Sequence, residues 1–290
     1  MSEVAQPLAL AVVVVFGRRL DRVEAWQALV HRLQHRAPQA LALAHVLVYD
    51  NSAEPLARPA DPPAGCSYVH DPGNGGTAAA YACAVALATR LELDWLLLLD
   101  HDTVLPERYF EQAGAALRSC AGDAPAALLP WVCHGAAVVS PAEITALGTI
   151  RPLPRGAAFR RGSRVTAIAS GSLLHVATLS SLLPIPRELW LDYVDHWIFS
   201  RLYERRLPLQ VFDAVLQHDL SIVTPAGLSA RRLSSVLDGE ARFVATLGPA
   251  ARFAYPVRLV VRMLRYTRVS RPLALRTLRW SVRRLARQGP

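Results

Sequence analysis

The sequence predicts an α/β protein with a mostly parallel central sheet flanked by helices, followed by a C-terminal amphipathic helical extension. Three observations carry this prediction. Apolar, β-branched runs alternate with helical patterns in the first half, shorter strand signals follow in the second half, and the pattern is helical after residue 221. The 290 residues, 52% of them hydrophobic, suffice for one large domain with an appendage and exclude disorder as the main state.

Strand and helix signals alternate in the first half of the chain. A continuous apolar run at residues 8–16 predicts a strand buried on both faces, and apolar residues at helical spacing predict a helix over residues 19–34. The further predicted elements of this half are strands at residues 41–49, 67–70 and 95–99 and a helix at residues 75–91. Because crossover helices join parallel strands, the alternation favours a parallel, doubly wound sheet.

The second half is less regular. Its predicted strands lie at residues 126–132, 135–139, 165–169, 209–212 and 215–218. A helix is predicted over residues 195–206, and a loop over residues 152–164. The sequence contains no internal repeat of the kind that marks a solenoid or propeller.

The positive charge is concentrated at the C-terminus. The formal net charge is +9, all 32 basic residues are arginine, and residues 241–290 contain twelve arginines and no acidic residue. Residues 1–240 are therefore slightly acidic. Such a segment indicates nucleic acid, an anionic membrane surface or an acidic substrate as partner. The absence of lysine also fits a codon bias towards arginine.

Cysteine spacing and apolar run length exclude several classes of protein. Cys66, Cys83, Cys120 and Cys133 lack the paired spacing of a zinc site and do not indicate a disulfide scaffold, which fits a reducing cytosol. The apolar run after residue 8 has no basic segment before it and no small-residue cleavage site, so we expect no signal peptide. No apolar run approaches the ~20 residues needed to span a bilayer, so we expect no transmembrane helix.

Three polar clusters lie where ligands bind in open α/β sheets, beyond the carboxyl ends of strands. They are Asp-Asn-Ser at residues 50–52, Asn-Gly-Gly-Thr at residues 74–77 and Asp-His-Asp at residues 100–102. Turn and cap chemistry also explains the first two. Two acids at the tip of an apolar strand instead indicate a site that binds a ribose or a divalent cation. The sequence has neither a dinucleotide-binding G-x-G-x-x-G nor a P-loop.

These motifs continue in a characteristic order. Tyr-Asp-Asn-Ser, Asn-Gly-Gly-Thr-Ala-Ala-Ala and Leu-Leu-Leu-Leu-Asp-His-Asp-Thr are followed by Ser-Gly-Ser, Leu-Asp-Tyr-Val-Asp and a histidine at residue 218. The series resembles the inverting family 2 glycosyltransferases of the Rossmann-like GT-A fold, and within them the bacterial rhamnosyltransferase-like branch. The resemblance covers roughly residues 8–220 and rests on the order and spacing of the motifs.

The resemblance implies a domain organisation and a role for each matching residue. The GT-A catalytic domain spans residues 1–225, with its nucleotide-sugar half up to about residue 105 and its acceptor half over residues 106–225, and the basic helical extension spans residues 226–290. Asp195 is implied to be the catalytic base, although an acid at a helix N-terminus is also stabilised by the helix dipole. The implied nucleotide-sugar-binding residues are Phe16, Asp50, Asn51, Asn74, Gly76, Asp100 and Arg201. The implied acceptor-side residues are Ser170, Gly171, Asp192 and Trp197, and the implied ligands of Mg²⁺ or Mn²⁺ are Asp102 and His218.

The implied activity is the metal-dependent, inverting transfer of L-rhamnose from dTDP-L-rhamnose to a lipid-linked saccharide or glycolipid, at the inner face of a bacterial plasma membrane. Inverting transfer needs one base and a positive centre but no covalent nucleophile, so the chain needs no G-x-S-x-G motif. A UDP-hexose or UDP-galactofuranose donor and a non-catalytic membrane adaptor of the same fold stay open. A nucleotidyltransferase is disfavoured because its phosphate loop would need a lysine.

Arginine and apolar residues recur at helical spacing on both sides of Pro272, which predicts two amphipathic helices with an arginine face each. The arginines are Arg258, Arg262, Arg265 and Arg268 in the first helix and Arg276, Arg279, Arg283 and Arg287 in the second. The apolar residues are Val257, Val260, Val261 and Leu264, then Leu275, Leu278, Val282 and Leu285. The helices either pack on the catalytic domain or bind anionic lipid, and a lipid-linked acceptor favours lipid. We expect no nucleic acid partner, because no recognition motif accompanies the charge.

Overall fold

A computed structural model of the chain describes residues 7–35, 37, 39–57, 63–120, 124–157, 159, 162–217 and 229–287. Its strands are β1 (Leu8–Val15), β2 (Ala42–Asp50), β3 (Cys66–His70), β4 (Trp95–Asp100), β5 (Ala127–His134), β6 (Ala137–Ser140), β7 (Ala142–Ile144), β8 (Ile150–Pro152), β9 (Val165–Thr166), β10 (Leu173–His175) and β11 (Leu209–Gln217). Its helices are α1 (Glu24–Gln34), α2 (Gly76–Arg90), α3 (Tyr109–Ser119), α4 (Val176–Ser180), α5 (Val194–Glu204), α6 (Ala230–Thr246), α7 (Pro249–Val269) and α8 (Arg271–Arg287).

The central sheet has eight strands in the order β11-β5-β10-β4-β1-β2-β3, with β6 paired to β5. β10 runs antiparallel to both of its neighbours and β6 antiparallel to β5, while the other neighbouring pairs are parallel. Alternate residues of β1 enter two separate hydrophobic cores, one on each face of the sheet. This burial on both faces explains why β1 reads as an unbroken apolar run. The predicted α/β class, the mostly parallel sheet and the C-terminal helices are confirmed.

Several predicted elements of the second half need correction. The strand predicted at residues 209–212 and the described part, up to Gln217, of the strand predicted at residues 215–218 form the single strand β11. Its pairing with β5 shifts register between Val211 and Val215. The strand predicted at residues 165–169 is only the short β9, which joins β7 and β8 in a second, three-stranded sheet. The helix predicted over residues 19–34 is a 3₁₀ turn at Leu20–Arg22 followed by α1. The sequence did not predict α3 or β10.

The C-terminal helices pack on the rest of the protein and do not form a separate tail. Ile144 of β7 shares a hydrophobic cluster with Phe243 of α6 and Tyr255 of α7. Leu273 of α8 packs against α6 in a further cluster. Among the described residues, none of the helices combines the length and the apolarity needed to cross a bilayer.

The predicted arginine face of α7 is wrong for two of its four residues. Arg258 and Arg262 point inward, where they donate hydrogen bonds to the buried carboxylate of Glu240 at 2.5–2.9 Å. The apolar side chains of Val257 and Leu264 are exposed instead. The buried acid explains the reversal, because two cations that pair with it stay on the inner side of the helix.

Candidate active site

The polar clusters at the strand ends meet at one edge of the sheet. Val15 at the end of β1 pairs with Asp50, and Asp50 pairs with His70 at the end of β3. On the other side of β1, Val14 pairs with Asp100 at the end of β4. The structure therefore brings together the two acidic clusters that the sequence placed beyond strand ends.

Phe16 follows β1 at this edge and leaves an aromatic ring in solvent, with 57% of its surface exposed. The next residue is held in place, because the backbone N–H of Gly17 donates to the hydroxyl of Ser52 at 2.8 Å. An exposed ring on a fixed loop can stack against a planar base. The predicted nucleobase contact of Phe16 stays a prediction that this geometry permits.

Asp50 is fully buried and holds the loop after β2. Its carboxylate accepts hydrogen bonds from the backbone N–H groups of Ser52 and Leu56 and from the hydroxyl of Tyr68 at 2.9, 3.0 and 2.5 Å. Burial alone would raise the pKa of this carboxyl, but the hydrogen bonds from Ser52, Tyr68 and Leu56 outweigh it and lower the pKa. In this conformation the chain's own donors occupy Asp50, which gives it a structural role beside its predicted contact with a base.

The N-terminus of α2 is joined to two other segments. The side-chain oxygen of Asn51 accepts from the N–H of Gly76 at 3.2 Å, and the N–H of Ala78 donates to the carbonyl of Trp190 at 3.1 Å. Gly76 has φ +72°, and a Cβ there would lie 2.1 Å from the carbonyl oxygen of Trp190. Only glycine permits this contact. These amides bind the protein itself in this conformation, so the nucleotide-sugar contact implied for Gly76 stays a prediction that would need another arrangement of these amides.

Asp71, which is not among the predicted site residues, completes the loop before α2. Its carboxylate accepts from the N–H groups of Gly73 and Gly75 and from the hydroxyl of Tyr49, at 2.8–3.0 Å. Asn74, predicted to lie near the nucleotide, takes a left-handed conformation with φ +52° between these glycines. Asp-Pro-Gly is a turn signature that would have identified this loop in the sequence.

Asp100 is tied to the Ser-Gly-Ser turn. The hydroxyl of Ser170 donates to one carboxylate oxygen of Asp100 at 2.5 Å. The hydroxyl of Thr103 accepts from the N–H of Asp100 at 3.2 Å, and the N–H of Thr103 returns a bond to the carbonyl of Asp100 at 3.1 Å. These bonds fix the turn that carries Asp102, which is half-buried like Asp100.

Gly171 lets the Ser-Gly-Ser turn approach the sheet. Its N–H donates to the carbonyl of Leu98 at 2.7 Å, and its carbonyl accepts from the buried hydroxyl of Tyr109 at 2.6 Å. With φ +77°, a Cβ at this residue would lie 2.2 Å from the side chain of Leu216. The turn is therefore fixed to the end of β4, and Ser170 with it.

Asp195 lies in the first turn of α5, half-buried. One of its carboxylate oxygens accepts from the N–H of His196 at 2.7 Å. The first turn of a helix favours a negatively charged side chain, which suits an aspartate there.

Tyr81 is a buried phenol whose pKa responds to two of the predicted site acids. It is fully buried on α2. Burial raises the pKa of its phenol well above the usual range, and the negative charges of Asp100 and Asp195 raise it further. The hydroxyl of Thr77, in the same helix, donates to the carbonyl of Leu191 at 3.2 Å, so α5 and its Asp195 begin close to the N-terminus of α2.

The remaining predicted residues of α5 and the loop before it make internal contacts. Asp192 is 7% exposed and pairs with Arg232 of α6 at 2.9 Å. Trp197 is buried in the core, and the guanidinium of Arg201 stacks over its ring at 5.7 Å while pairing with Glu204 at 2.7 Å. Their predicted contacts with acceptor and nucleotide stay predictions.

The carboxylates of Asp100 and Asp102 are the candidate metal ligands within the described chain. No group of three His, Cys, Asp or Glu side chains that could hold a metal occurs among the described residues. Mg²⁺ does not require one, because it is commonly held by one or two carboxylates together with substrate phosphates. The donor set therefore fits a magnesium–diphosphate site. His218, the other predicted ligand, lies outside the described residues; the strand before it ends at Gln217, which pairs with Val104.

Comparisons with known proteins do not assign a family. No protein-family model matches the chain, and no curated protein matches it. Among solved structures, residues 1–349 of S. aureus TarS match with 13% identity, 84% of this chain and 68% of that chain covered, and a TM-score of 0.47. The same segment in complex with UDP-GlcNAc gives 13% identity, coverage of 85% and 69%, and a TM-score of 0.48. A 4-diphosphocytidyl-2C-methyl-D-erythritol synthase matches with 14% identity, 73% of this chain and 90% of that chain covered, and a TM-score of 0.39. At these scores the matches establish no activity.

Proposed function

We propose that this protein is a metal-dependent, inverting glycosyltransferase of the GT-A type. The observation that carries the proposal is geometric. Asp100 ends a strand at the sheet edge to which Asn51 holds the N-terminus of α2, and that N-terminus is hydrogen-bonded to the loop just before α5, the helix of Asp195. An acidic turn that suits a metal-bound diphosphate and a separate carboxylate that suits proton transfer are the two groups that inverting sugar transfer needs. The exposed ring of Phe16 at the same sheet edge supplies a surface for the base.

Each group has one task in the proposed reaction. Asp195 accepts the proton of the acceptor hydroxyl as the hydroxyl oxygen attacks the anomeric carbon. The bond from that carbon to the diphosphate oxygen breaks on the opposite face, and the nucleoside diphosphate leaves with the electron pair, so the configuration inverts. A divalent cation held by Asp102 and Asp100 would neutralise the departing charge. Ser170 keeps the Asp100 carboxylate oriented towards the turn.

The donor and acceptor follow from the sequence resemblance. We propose dTDP-L-rhamnose as donor and a lipid-linked saccharide or glycolipid as acceptor. Such an acceptor resides in the membrane, so the enzyme would act as a peripheral protein at the inner face of a bacterial plasma membrane.

Binding of nucleotide sugars to the full chain tests the proposal. A ligand that binds only the native state raises the unfolding temperature. We expect dTDP-L-rhamnose to raise it with Mg²⁺ or Mn²⁺ and much less with EDTA, and UDP-glucose, UDP-galactofuranose and free dTDP serve as comparisons. A larger rise in unfolding temperature with a UDP-sugar than with dTDP-L-rhamnose would identify the UDP-sugar as the donor instead. Absence of a shift with every nucleotide sugar would contradict the transferase proposal and leave the fold as a non-catalytic adaptor.

A further inference from the structure

The C-terminal helices divide their arginines into two sets with different surroundings. Arg258 and Arg262 of α7 are paired with Glu240, which is 1% exposed. Among the side chains that the structure describes, the exposed arginines of α7 and α8 are Arg252, Arg265, Arg268, Arg271, Arg276, Arg279 and Arg283. No acidic residue follows Glu240 in the sequence, so nothing within these two helices neutralises the exposed set.

The outer side of α7 carries an apolar stripe. Phe253, Val257, Val260 and Leu264 follow one another at spacings of four, three and four, which aligns them along a single helix face. All are exposed, Phe253 at 83%, Val257 at 64% and Leu264 at 57%. An aligned row of exposed large apolar side chains is uncommon on a soluble surface and marks an interaction site.

α8 repeats the arrangement on a shorter scale. Leu275, Leu278 and Val282 are exposed at spacings of three and four. Arg276, Arg279 and Arg283 directly follow these three apolar residues in the sequence, so a row of arginines adjoins the apolar row. The inner sides of both helices face α6, through Leu259 and Tyr266 of α7 and Leu273 of α8.

We propose that the outer apolar stripes of α7 and α8, with the arginines beside them, form a docking surface for an anionic lipid bilayer. We call these residues the docking face: Phe253, Val257, Val260 and Leu264 on α7 and Leu275, Leu278 and Val282 on α8. The apolar side chains enter the headgroup boundary, and the arginines bind lipid phosphates. Arg258 and Arg262 take no part, since they hold the helix to the protein.

Charge selects lipid over the other possible occupants. A second copy of this chain would place arginine rows against each other, and like charges brought together disfavour association. Nucleic acid would pair with the arginines but would leave the apolar stripes exposed to water. An anionic bilayer satisfies both, because it offers negative phosphates above an apolar interior.

The surface is linked to the candidate site through α6. Arg232 pairs with Asp192 at 2.9 Å, and the hydroxyl of Ser235 donates to the same carboxylate at 2.8 Å. Asp192 precedes the candidate base Asp195 by three residues. A docked α7–α8 pair would therefore hold the site at a fixed orientation to the membrane. The docking proposal does not depend on the transferase proposal, because its test measures lipid binding alone.

Co-sedimentation of the full chain with vesicles tests the docking face. We expect binding to vesicles of equal phosphatidylcholine and phosphatidylglycerol and little binding to phosphatidylcholine alone. Replacing Arg276, Arg279 and Arg283 with glutamine should weaken binding on the order of 100-fold, because each near-surface arginine contributes about 1 kcal/mol. The pair F253S and L264S should weaken it roughly 10-fold or more. These side chains are exposed, so the melting temperature should stay unchanged.

A matched variant with glutamine in place of Arg22, Arg90 and Arg108 removes the same charge from exposed residues elsewhere. It should bind vesicles almost as the unaltered chain does. Equal loss in both triple variants would show unspecific charge attraction and overturn the proposal, as would full binding by the docking-face variants. Light scattering without lipid tests self-association. A dimer that F253S and L264S dissociate would show that a second copy of the chain covers the docking face, and would overturn the lipid proposal. If the chain bound duplex DNA as strongly as vesicles, and F253S and L264S had no effect on that binding, nucleic acid would be the partner and the lipid proposal would be overturned.

Discussion

The hydroxyl of Ser170 donates a 2.5 Å hydrogen bond to the carboxylate of Asp100, across seventy residues of sequence. Ser170 is itself 1% exposed and lies on a turn that is bound to β4 through Gly171. The orientation of the first acid of the D-x-D turn therefore depends on a residue from the other half of the chain.

S170A should lower kcat/KM on the order of 10- to 100-fold, because a hydrogen bond to a charged group contributes about 1.5–3 kcal/mol. The Mg²⁺ concentration for half-maximal activity should rise as well, since Asp100 loses its fixed orientation. S172A is the matched control: Ser172 is also buried, but its hydroxyl donates to the carbonyl of Ile168 at 2.8 Å. Equal magnesium dependence in the two variants would remove Ser170 from the site.

D195N should abolish sugar transfer and leave nucleotide binding nearly intact, because an amide cannot accept the proton of the acceptor hydroxyl. Product formation and the nucleotide-induced shift in melting temperature measure the two effects separately. D213N serves as control, since the side chain of Asp213 is 83% exposed on β11. Transfer at the unaltered rate by D195N would exclude Asp195 as base.

G76A should destabilise the protein by about 3 kcal/mol or more, because it adds a steric clash with the Trp190 carbonyl to the strain of a positive φ. G135A separates the two effects. Gly135 has φ +59°, but a Cβ there would meet nothing within 4 Å, so only the backbone strain of about 1 kcal/mol is expected. Urea unfolding of both variants gives the difference. Equal losses would mean that the contact between α2 and residue 190 adds nothing.

Local pattern predicted the elements that tertiary packing does not alter. β1, β2 and β4 are buried on both faces, and their apolar runs identify them directly. β10 was missed because three residues are too few to show the alternation of apolar and polar residues that identifies a strand. α3 was missed although its burial follows a helical pattern, because three of its buried positions are the small residues Ala113, Gly114 and Ala116, which give a weak apolar signal.

The site was predicted where a motif alone determines the backbone, and not where partners come from distant segments. Asp100 and Asp102 follow an apolar strand, so their place at the sheet edge follows from the strand. Two of the three hydrogen bonds that occupy Asp50 come from Tyr68 and Leu56, which no spacing rule connects to it. Likewise, Arg258 and Arg262 point inward because they pair with Glu240, which lies on another helix.

Asp192 should make the free energy of unfolding fall as the pH rises above the ordinary aspartate pKa of about 4. Burial raises the pKa of its carboxyl, the charge of Asp195 raises it further, and Arg232 and Ser235 only partly oppose them. The folded state then binds the proton more tightly than the unfolded chain, so the contribution is complete below the unfolded pKa and disappears as pH passes the folded pKa. D192N should flatten this slope in urea midpoints measured against pH. D213N, with an exposed carboxyl, should keep it; an identical slope in D192N would assign the dependence to another group.

Glu240 should anchor the C-terminal helices to the rest of the protein. Its 1% exposed carboxylate is the shared partner of Arg258 and Arg262, so E240Q leaves two half-buried arginines without a counter-charge. Removing one partner from a buried ion pair costs about 3–5 kcal/mol. E188Q is the matched control: Glu188 pairs with Arg242 at 3.1 Å, but both side chains are about half exposed, so its loss should stay below about 1 kcal/mol.

The shape of the E240Q unfolding curve tests the predicted boundary between residues 1–225 and 226–290. Because Ile144 shares a cluster with Phe243 and Tyr255, loss of the anchor should shift one cooperative transition and not create a second. Unfolding followed by tryptophan fluorescence and by far-UV circular dichroism should therefore coincide. Trp280 is the only tryptophan after residue 225, so an early change in fluorescence that W280F abolishes would instead show that the extension unfolds by itself, as an independent domain.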